Sequence, residues 1–321
     1  MQDPITSGKA NPMNVDRCHS RSVRSEGIRI RIGFETVLDC PAVTPLLLSL
    51  LPHSSYDGSV TGSDTIRTYP QVPLEDFVDV YGNRSTRLVA PAGRLRLWSD
   101  CIIDNCGEPD PYDWNAAQHE IADLPSEALH YLLASRYCQS DLLVEKAWAL
   151  FGHEPAGWAR IQAICNWVHN HLTFGYHFGR TTKTAVDTMR ERTGVCRDFA
   201  HLAIALCRAM NIPARYAAGY LGDIGVPASG PGDFCAWFEA FIGGRWYALD
   251  ARYNTPRIGR VPVVRGRDAA DAAMITSFGD YDMHLFRVWA DEIPARIPEH
   301  QLRALLASLP DAPALTLAPA G

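Results

Sequence analysis

Cys196 follows Gly194-Val195 and opens a run in which Phe199, Leu202, Ala203, Leu206 and Met210 recur at helical spacing. That spacing places the thiol in the first turn of an amphipathic helix. There it faces the positive end of the helix dipole and unpaired backbone N–H groups, which favour the thiolate and can donate to a developing oxyanion. The chemistry this suits is nucleophilic acyl transfer. Further on, Phe234 to Ile242 and Arg245 to Asp250 flank Gly243-Gly244, the strongest hairpin signal in the chain. A two-residue turn pairs Ile242 with Arg245, Trp237 with Asp250 and Cys235 with Arg252, so that Cys235, Trp237, Glu239, Trp246, Ala248 and Asp250 share one face. Cys235 and Asp250 become diagonal neighbours. A residue at 235 could then be oriented by the Asp250 carboxylate and aimed at a nucleophile beside the sheet, which is where a Cys–base–acid triad needs its base.

Other residues compete for that role. His201 lies five positions after Cys196, about 140° further round the helix, and is expected to pack rather than react. His177, in the loop Thr173 to Arg180, could fold over a cleft; His169 and His171 sit on the preceding helix. Tyr253 should face away from Asp250. Glu239 is expected to form a core salt bridge with Arg215 or Arg245, and Trp237 and Trp246 to close the cleft as core aromatics. Arg257, Arg260, Arg265 and Arg267 form a basic run that reads as solvated surface or, near the cleft, as a partner for a substrate carboxylate.

The elements that must position these residues follow from periodicity. Gly27 to Ile103 alternates in short apolar runs broken by turn residues, which predicts an antiparallel β-domain of sandwich type. Val43 to Leu51 reads as a buried strand or short helix, and Cys106 to Tyr112 as a linker. Ser126 to Leu150 and Trp158 to Leu172 have helical spacing, and a short helix follows around Thr184 to Arg192. Ala214 to Leu221, Val261 to Val264 and Phe286 to Trp289 are strand-like. With 321 residues, 30 Lys+Arg against 36 Asp+Glu, a net charge of −6 and 47% hydrophobic residues, the chain is long enough to bury about two cores. The mildly acidic balance argues against nucleic acid and anionic membrane as partners. Met1 to Glu26 lacks the apolar run of a signal peptide. The nine cysteines are expected to be reduced thiols in the cytoplasm, with a Cys101–Cys106 bridge or metal pair as the alternative. Phosphate-loop, dinucleotide and zinc signatures are absent, and no cofactor or metal is expected.

Gly194-Val-Cys-Arg-Asp-Phe-Ala-His201, then Leu206-Cys-Arg-Ala-Met-Asn-Ile-Pro-Ala-Arg-Tyr-Ala-Ala-Gly-Tyr220, resembles the nucleophile helix and following strand of the transglutaminase-like superfamily. Phe234-Cys-Ala-Trp-Phe-Glu239 and Gly244-Arg-Trp-Tyr-Ala-Leu-Asp250 resemble the rest of its core. The resemblance covers roughly residues 27 to 295 and extends to bacterial members with a β-rich domain before the core. It implies an α+β fold with a papain-like core: a tail over 1–26, an N-terminal β-sandwich-like domain over 27–105, a linker over 106–125, the core over 126–295 and a C-terminal tail over 296–321. It further implies a Cys–His–Asp triad that cleaves amides or transfers their acyl group, with Cys196 as nucleophile, Asp250 as orienting acid, and the histidine position occupied by Cys235. Cys235 then reads as an inert core residue, a redox partner of Cys196 or a ligand in a thiolate-rich metal site. The function expected is a cysteine-dependent amide or peptide hydrolase or acyltransferase acting on a peptide or amide-bearing substrate. The alternative is a catalytically silent module that binds a peptide or protein partner.

Overall fold

The computed structural model describes residues 27–228, 232–311 and 314, so the N-terminal tail expected over 1–26 lies outside the described residues. The fold is α+β. The alternating segments become strands β1 (Ile28–Cys40), β2 (Thr44–Leu48), β3 (Val60–Thr61), β4 (Arg67–Tyr69), β5 (Glu75–Val78), β6 (Arg84–Ala90) and β7 (Gly93–Asn105). They form two antiparallel sheets, and Ile30, Ile32, Phe34, Leu46, Leu48, Leu88, Leu95 and Leu97 are buried, each at 2% exposure or less. Period-two alternation puts these side chains on one face of each strand, as a sandwich requires.

The segment expected to be a linker is an ordered strap. Asp110 binds the Arg257 backbone, Trp158 N–H donates to Ala116 O, and Gly243 N–H donates to Ala117 O. The single helical stretch expected from Ser126 to Leu150 is broken into α1 (Ser126–Leu129), short 3₁₀ turns and α2 (Val144–Phe151). The intervening Leu133–Gln139 loop places Tyr137 against His201. Then come α3 (Trp158–His171), β8 (Thr173–Phe174), α4 (Ala185–Glu191), β9 (Thr193–Gly194) and α5 (Cys196–Ala209). Helix α5 is buried almost throughout. It packs on a four-stranded antiparallel sheet ordered β12-β11-β10-β13, built from β10 (Ala214–Tyr220), β11 (Phe234–Ile242), β12 (Arg245–Leu249) and β13 (Val261–Gly266).

The chain does not stay in the core up to residue 295. β14 (Ile275–Ser277) pairs with β2, and β15 (Asp282–Ile293) pairs with β1 along nearly its whole length. The core is therefore inserted between strands of the sandwich, and the expected boundary at 295 moves back to about Met274. The expected C-terminal tail is also partly ordered: α6 (Glu299–Leu306) buries Leu302, and Ser308 O accepts from Arg31. Cys101 is a free buried thiol while Cys106 is disulfide-bonded, so the two do not bridge, and the expectation of uniformly reduced thiols is corrected at Cys106.

Candidate active site

Cys196 is the first residue of α5, as its spacing implies, and is partly exposed. Two neighbours fix the start of the helix. Asp198 accepts a hydrogen bond from Val195 N–H at 3.0 Å, and the parallel pairing of β8 with β9 sets Phe174 beside Gly194. A side chain at 194 would meet Asp198 Cβ at 2.7 Å, so the close approach of strand to helix needs glycine there.

The hairpin has the expected register, with Ile242 opposite Arg245 and Phe238 opposite Leu249. Cys235 lies near the start of β11, opposite Gly219 of β10, and is 6% exposed. Its thiol donates to Ala236 O at 3.7 Å. The neighbouring Cys235 thiol and the Ala236 backbone lower the Cys196 pKa against the opposing effects of burial and the nearby Asp233 carboxylate; the Arg252 guanidinium lowers it further. Cys235 moves the other way, raised well above its ordinary value by its coupling to Cys196 and by burial. Of the two thiols, Cys196 is the one whose ionisation is favoured, as its place at a helix N-terminus also favours it.

Asp250 follows β12 directly. Its Oδ1 accepts from Arg252 and Tyr253 backbone N–H groups at 2.9 and 3.1 Å, and its Oδ2 accepts from Arg260 at 3.0 Å. Arg260 also binds Asp110 at 2.7 Å and lies over the Trp237 ring, 5.0 Å from its centroid. The carboxylate is thus fixed by an arginine and by the turn that places Arg252. That turn aims the Arg252 guanidinium onto Phe174, 3.6 Å from the ring centroid and in the field of both thiols.

The remaining candidates separate clearly. His201 is fully buried, stacked on Tyr137 at 5.1 Å, and its Nε2 accepts from Ala269 N–H. Burial, Arg197 and Arg208 hold it neutral, well below its ordinary pKa. His177 is exposed in the turn after β8, against Phe178. Trp237 and Trp246 are core aromatics at 1% and 2% exposure. Glu239 binds Arg215 at 2.6 Å and Arg265 at 2.9 Å; Arg265 takes the place expected for Arg245. Arg257, Arg260 and Arg265 are buried in ion pairs or backbone contacts, so the basic run is not a solvated face. Their acceptors, Gly222 O, Asp110, Asp250 and Glu239, lie on other elements, which a local reading of charge cannot see.

Two residues that the sequence reading passed over join the thiols. Asp233 precedes Cys235 by two positions and Tyr176 stands in the turn after β8; burial raises the pKa of each, and both lie in the field of Cys196. A cavity of about 230 Å³ opens behind Asp250, walled by Asp110, Tyr112, Trp114, Trp158 and Cys165, away from the two thiols. Among the described residues no group of three or more His, Cys, Asp or Glu could hold a metal, and no helix is long and apolar enough to cross a membrane.

The sequence pattern of the transglutaminase-like superfamily matches residues 149–251, the segment that carries α5 and the hairpin. An uncharacterized protein of Mycobacterium leprae is 34% identical over 257 residues, covering 76% of this chain and 91% of its own. The chain belongs to the transglutaminase-like superfamily. An uncharacterized protein of Mycobacterium bovis is 39% identical over 223 residues, covering 60% of this chain and 68% of its own. The crystal structure of a "Putative Cysteine Protease" from Cytophaga hutchinsonii superposes with a TM-score of 0.76 at 30% identity, over 85% of this chain and 93% of that one. That match extends well beyond residues 149–251, so the similarity takes in the sandwich as well as the transglutaminase-like core.

Proposed function

We propose that this transglutaminase-like protein is a cysteine-dependent amide hydrolase or acyltransferase, acting on a peptide or other amide-bearing substrate through Cys196. The observation that carries this reading is the place of Cys196 at the first position of α5, with its pKa lowered by the neighbouring Cys235. In the reaction the Cys196 thiolate attacks the amide carbonyl, and backbone N–H groups at the start of the helix stabilise the oxyanion. Cys235 occupies the place where a triad histidine stands in the superfamily. It lowers the Cys196 pKa, but with its own pKa raised it stays protonated and is not available as a base. Asp250, turned to Arg260 and the 252–253 backbone, secures the hairpin end and the position of Arg252.

Iodoacetamide labelling with peptide mapping on the reduced protein tests the reading. Cys196 should label first, and at a pH well below the unperturbed thiol value of about 8.5, while Cys235 stays unmodified. The alternative function, a silent module that binds a peptide partner, draws support from the engagement of Asp250 by Arg260. It predicts uniformly slow labelling of both thiols.

A further inference from the structure

Most arginines after the hairpin are engaged by carboxylates. Arg260 holds Asp110 at 2.7 Å and Asp250 at 3.0 Å, Arg257 binds Asp223 at 3.2 Å, Arg265 binds Glu239 at 2.9 Å and Arg267 binds Asp271 at 2.8 Å. Arg252 differs. Among the described residues no carboxylate or carbonyl pairs with its guanidinium, which is half-buried against two rings, 3.6 Å from the Phe174 centroid and 4.5 Å from that of Tyr253. Ring contacts stabilise the charge but do not use the planar N–H fork, which fits a carboxylate bidentately. The place of the residue is fixed from both sides: its N–H donates to Asp250 Oδ1 at 2.9 Å and its carbonyl accepts from His169 Nδ1 at 2.8 Å, which clamps it between the end of β12 and α3. The ring beneath is fixed as well. Phe174 pairs with Gly194, two positions before Cys196, and its centroid is 6.4 Å from that of Phe199, three positions after Cys196 on the same helix. The guanidinium is therefore laid on a ring that rests against the turn carrying the thiol.

We propose that Arg252 selects the substrate: its guanidinium binds a carboxylate a few atoms from the scissile amide, so the amide that Cys196 attacks belongs to an anionic peptide or acylated amino acid. The inference rests on Cys196 being the nucleophile and adds to that reading the class of substrate. A carboxylate brought up to a thiolate is repelled by it, so a cation held beside the site is what makes an anionic substrate acceptable. The same charge favours the thiolate. The carboxylate has two possible sources, an acidic side chain and a free chain terminus, and both present the same planar anion to the fork.

Iodoacetate and iodoacetamide alkylate a thiolate by the same displacement and differ in one carboxylate. The ratio of their rates at Cys196, set against the ratio for glutathione, therefore reads the carboxylate preference of the site. In wild type that ratio should exceed the glutathione value by about 10-fold or more, and in Arg252→Gln it should fall to near it; any thiolate lost with the charge slows both reagents alike and cancels. N-acetylglutamine and N-acetylglutamic acid α-amide are isomers of equal charge, one with a free terminal carboxylate and the other with a free side-chain carboxylate. At least one of them should protect Cys196 from iodoacetamide in wild type and lose that protection in Arg252→Gln, and the stronger protector names the source of the carboxylate. A ratio that Arg252→Gln leaves unchanged overturns the inference. If that variant does not fold, wild type decides: a ratio equal to that of glutathione, or protection by neither isomer, overturns the inference while leaving the nucleophile intact. A Cys196 that reacts with neither reagent overturns the proposed function and this inference with it.

Discussion

The buried carboxylate of Glu239 offers a direct measure of how firmly the strand bearing Cys235 is held. Glu239 lies in β11 directly opposite Arg215 of β10, and Arg265 reaches it from β13. One carboxylate thus ties three strands of the core sheet. Burial works to raise its pKa, but the two guanidiniums prevail and hold it at about 2, against an ordinary value of 4.5. That difference corresponds to about 3 kcal/mol of folding stability. Because the folded value is depressed, the contribution is complete above pH 4.5 and is lost as pH falls from there through 2; by pH 3.5 a little under half of it has gone. Glu239→Gln keeps the shape and removes the charge, leaving two buried arginines without a counter-ion, and should cost about 3–5 kcal/mol at pH 7. Urea unfolding of both proteins, followed by tryptophan fluorescence at pH 7 and pH 3.5, cancels the titration of every other carboxylate. The gap between them should narrow by about 1.5 kcal/mol at the lower pH. A gap under about 1 kcal/mol at pH 7, or one of equal size at both pH values, would refute the argument that the ion triad secures the sheet.

Other perturbations probe the site itself. Cys235→His should create or increase amidase activity on peptide 4-nitroanilides, with a packing cost of about 1–3 kcal/mol; a folded variant with no gain would count against position 235 as the vacant base position. Cys235→Ala should shift the iodoacetamide labelling midpoint of Cys196 upward, since the lost neighbour favoured the thiolate; a midpoint that stays put removes Cys235 from the activation of the nucleophile. Arg260→Met strips the shared cation from two carboxylates and should destabilise by about 3–5 kcal/mol in urea unfolding. His201→Phe should cost about 1–3 kcal/mol by leaving Ala269 N–H unsatisfied, with Cys196 labelling unchanged; slower labelling would restore His201 as a candidate base.

The chemistry was legible wherever it depended on local spacing. The Gly243-Gly244 turn fixes a hairpin register that the strands keep, and the apolar stripe from Phe199 to Met210 locates the start of α5 and the thiol on it. What a linear reading could not supply is whatever depends on a distant partner. The arginines from 257 to 265 look solvated in isolation because the groups that bury them come from the strap and from β11. Phe174 stands beside Gly194, two residues before the thiol, only because β8 pairs with β9, two strands of two residues each that no periodicity announces. The return of β14 and β15 to the sandwich was likewise hidden, although Phe286 to Trp289 had the pattern of a strand, because alternation says nothing about which sheet a strand joins.

That return has a consequence for how the protein is made. Thr36 hydrogen-bonds Leu285 across 249 positions of sequence, and β1 meets β15 along almost its entire length. As the chain leaves the ribosome, β1 and β7 can pair early, but the other edge of β1 stays open until the whole of the thiol-bearing core has been synthesised. An open apolar edge is a template for unwanted strand pairing, and contacts this distant in sequence form slowly. The nascent protein therefore passes through a stage in which its core can be folded while its sandwich is unfinished. Chains released early, without residues 282–293, would carry that edge uncovered and should be the ones most prone to aggregate.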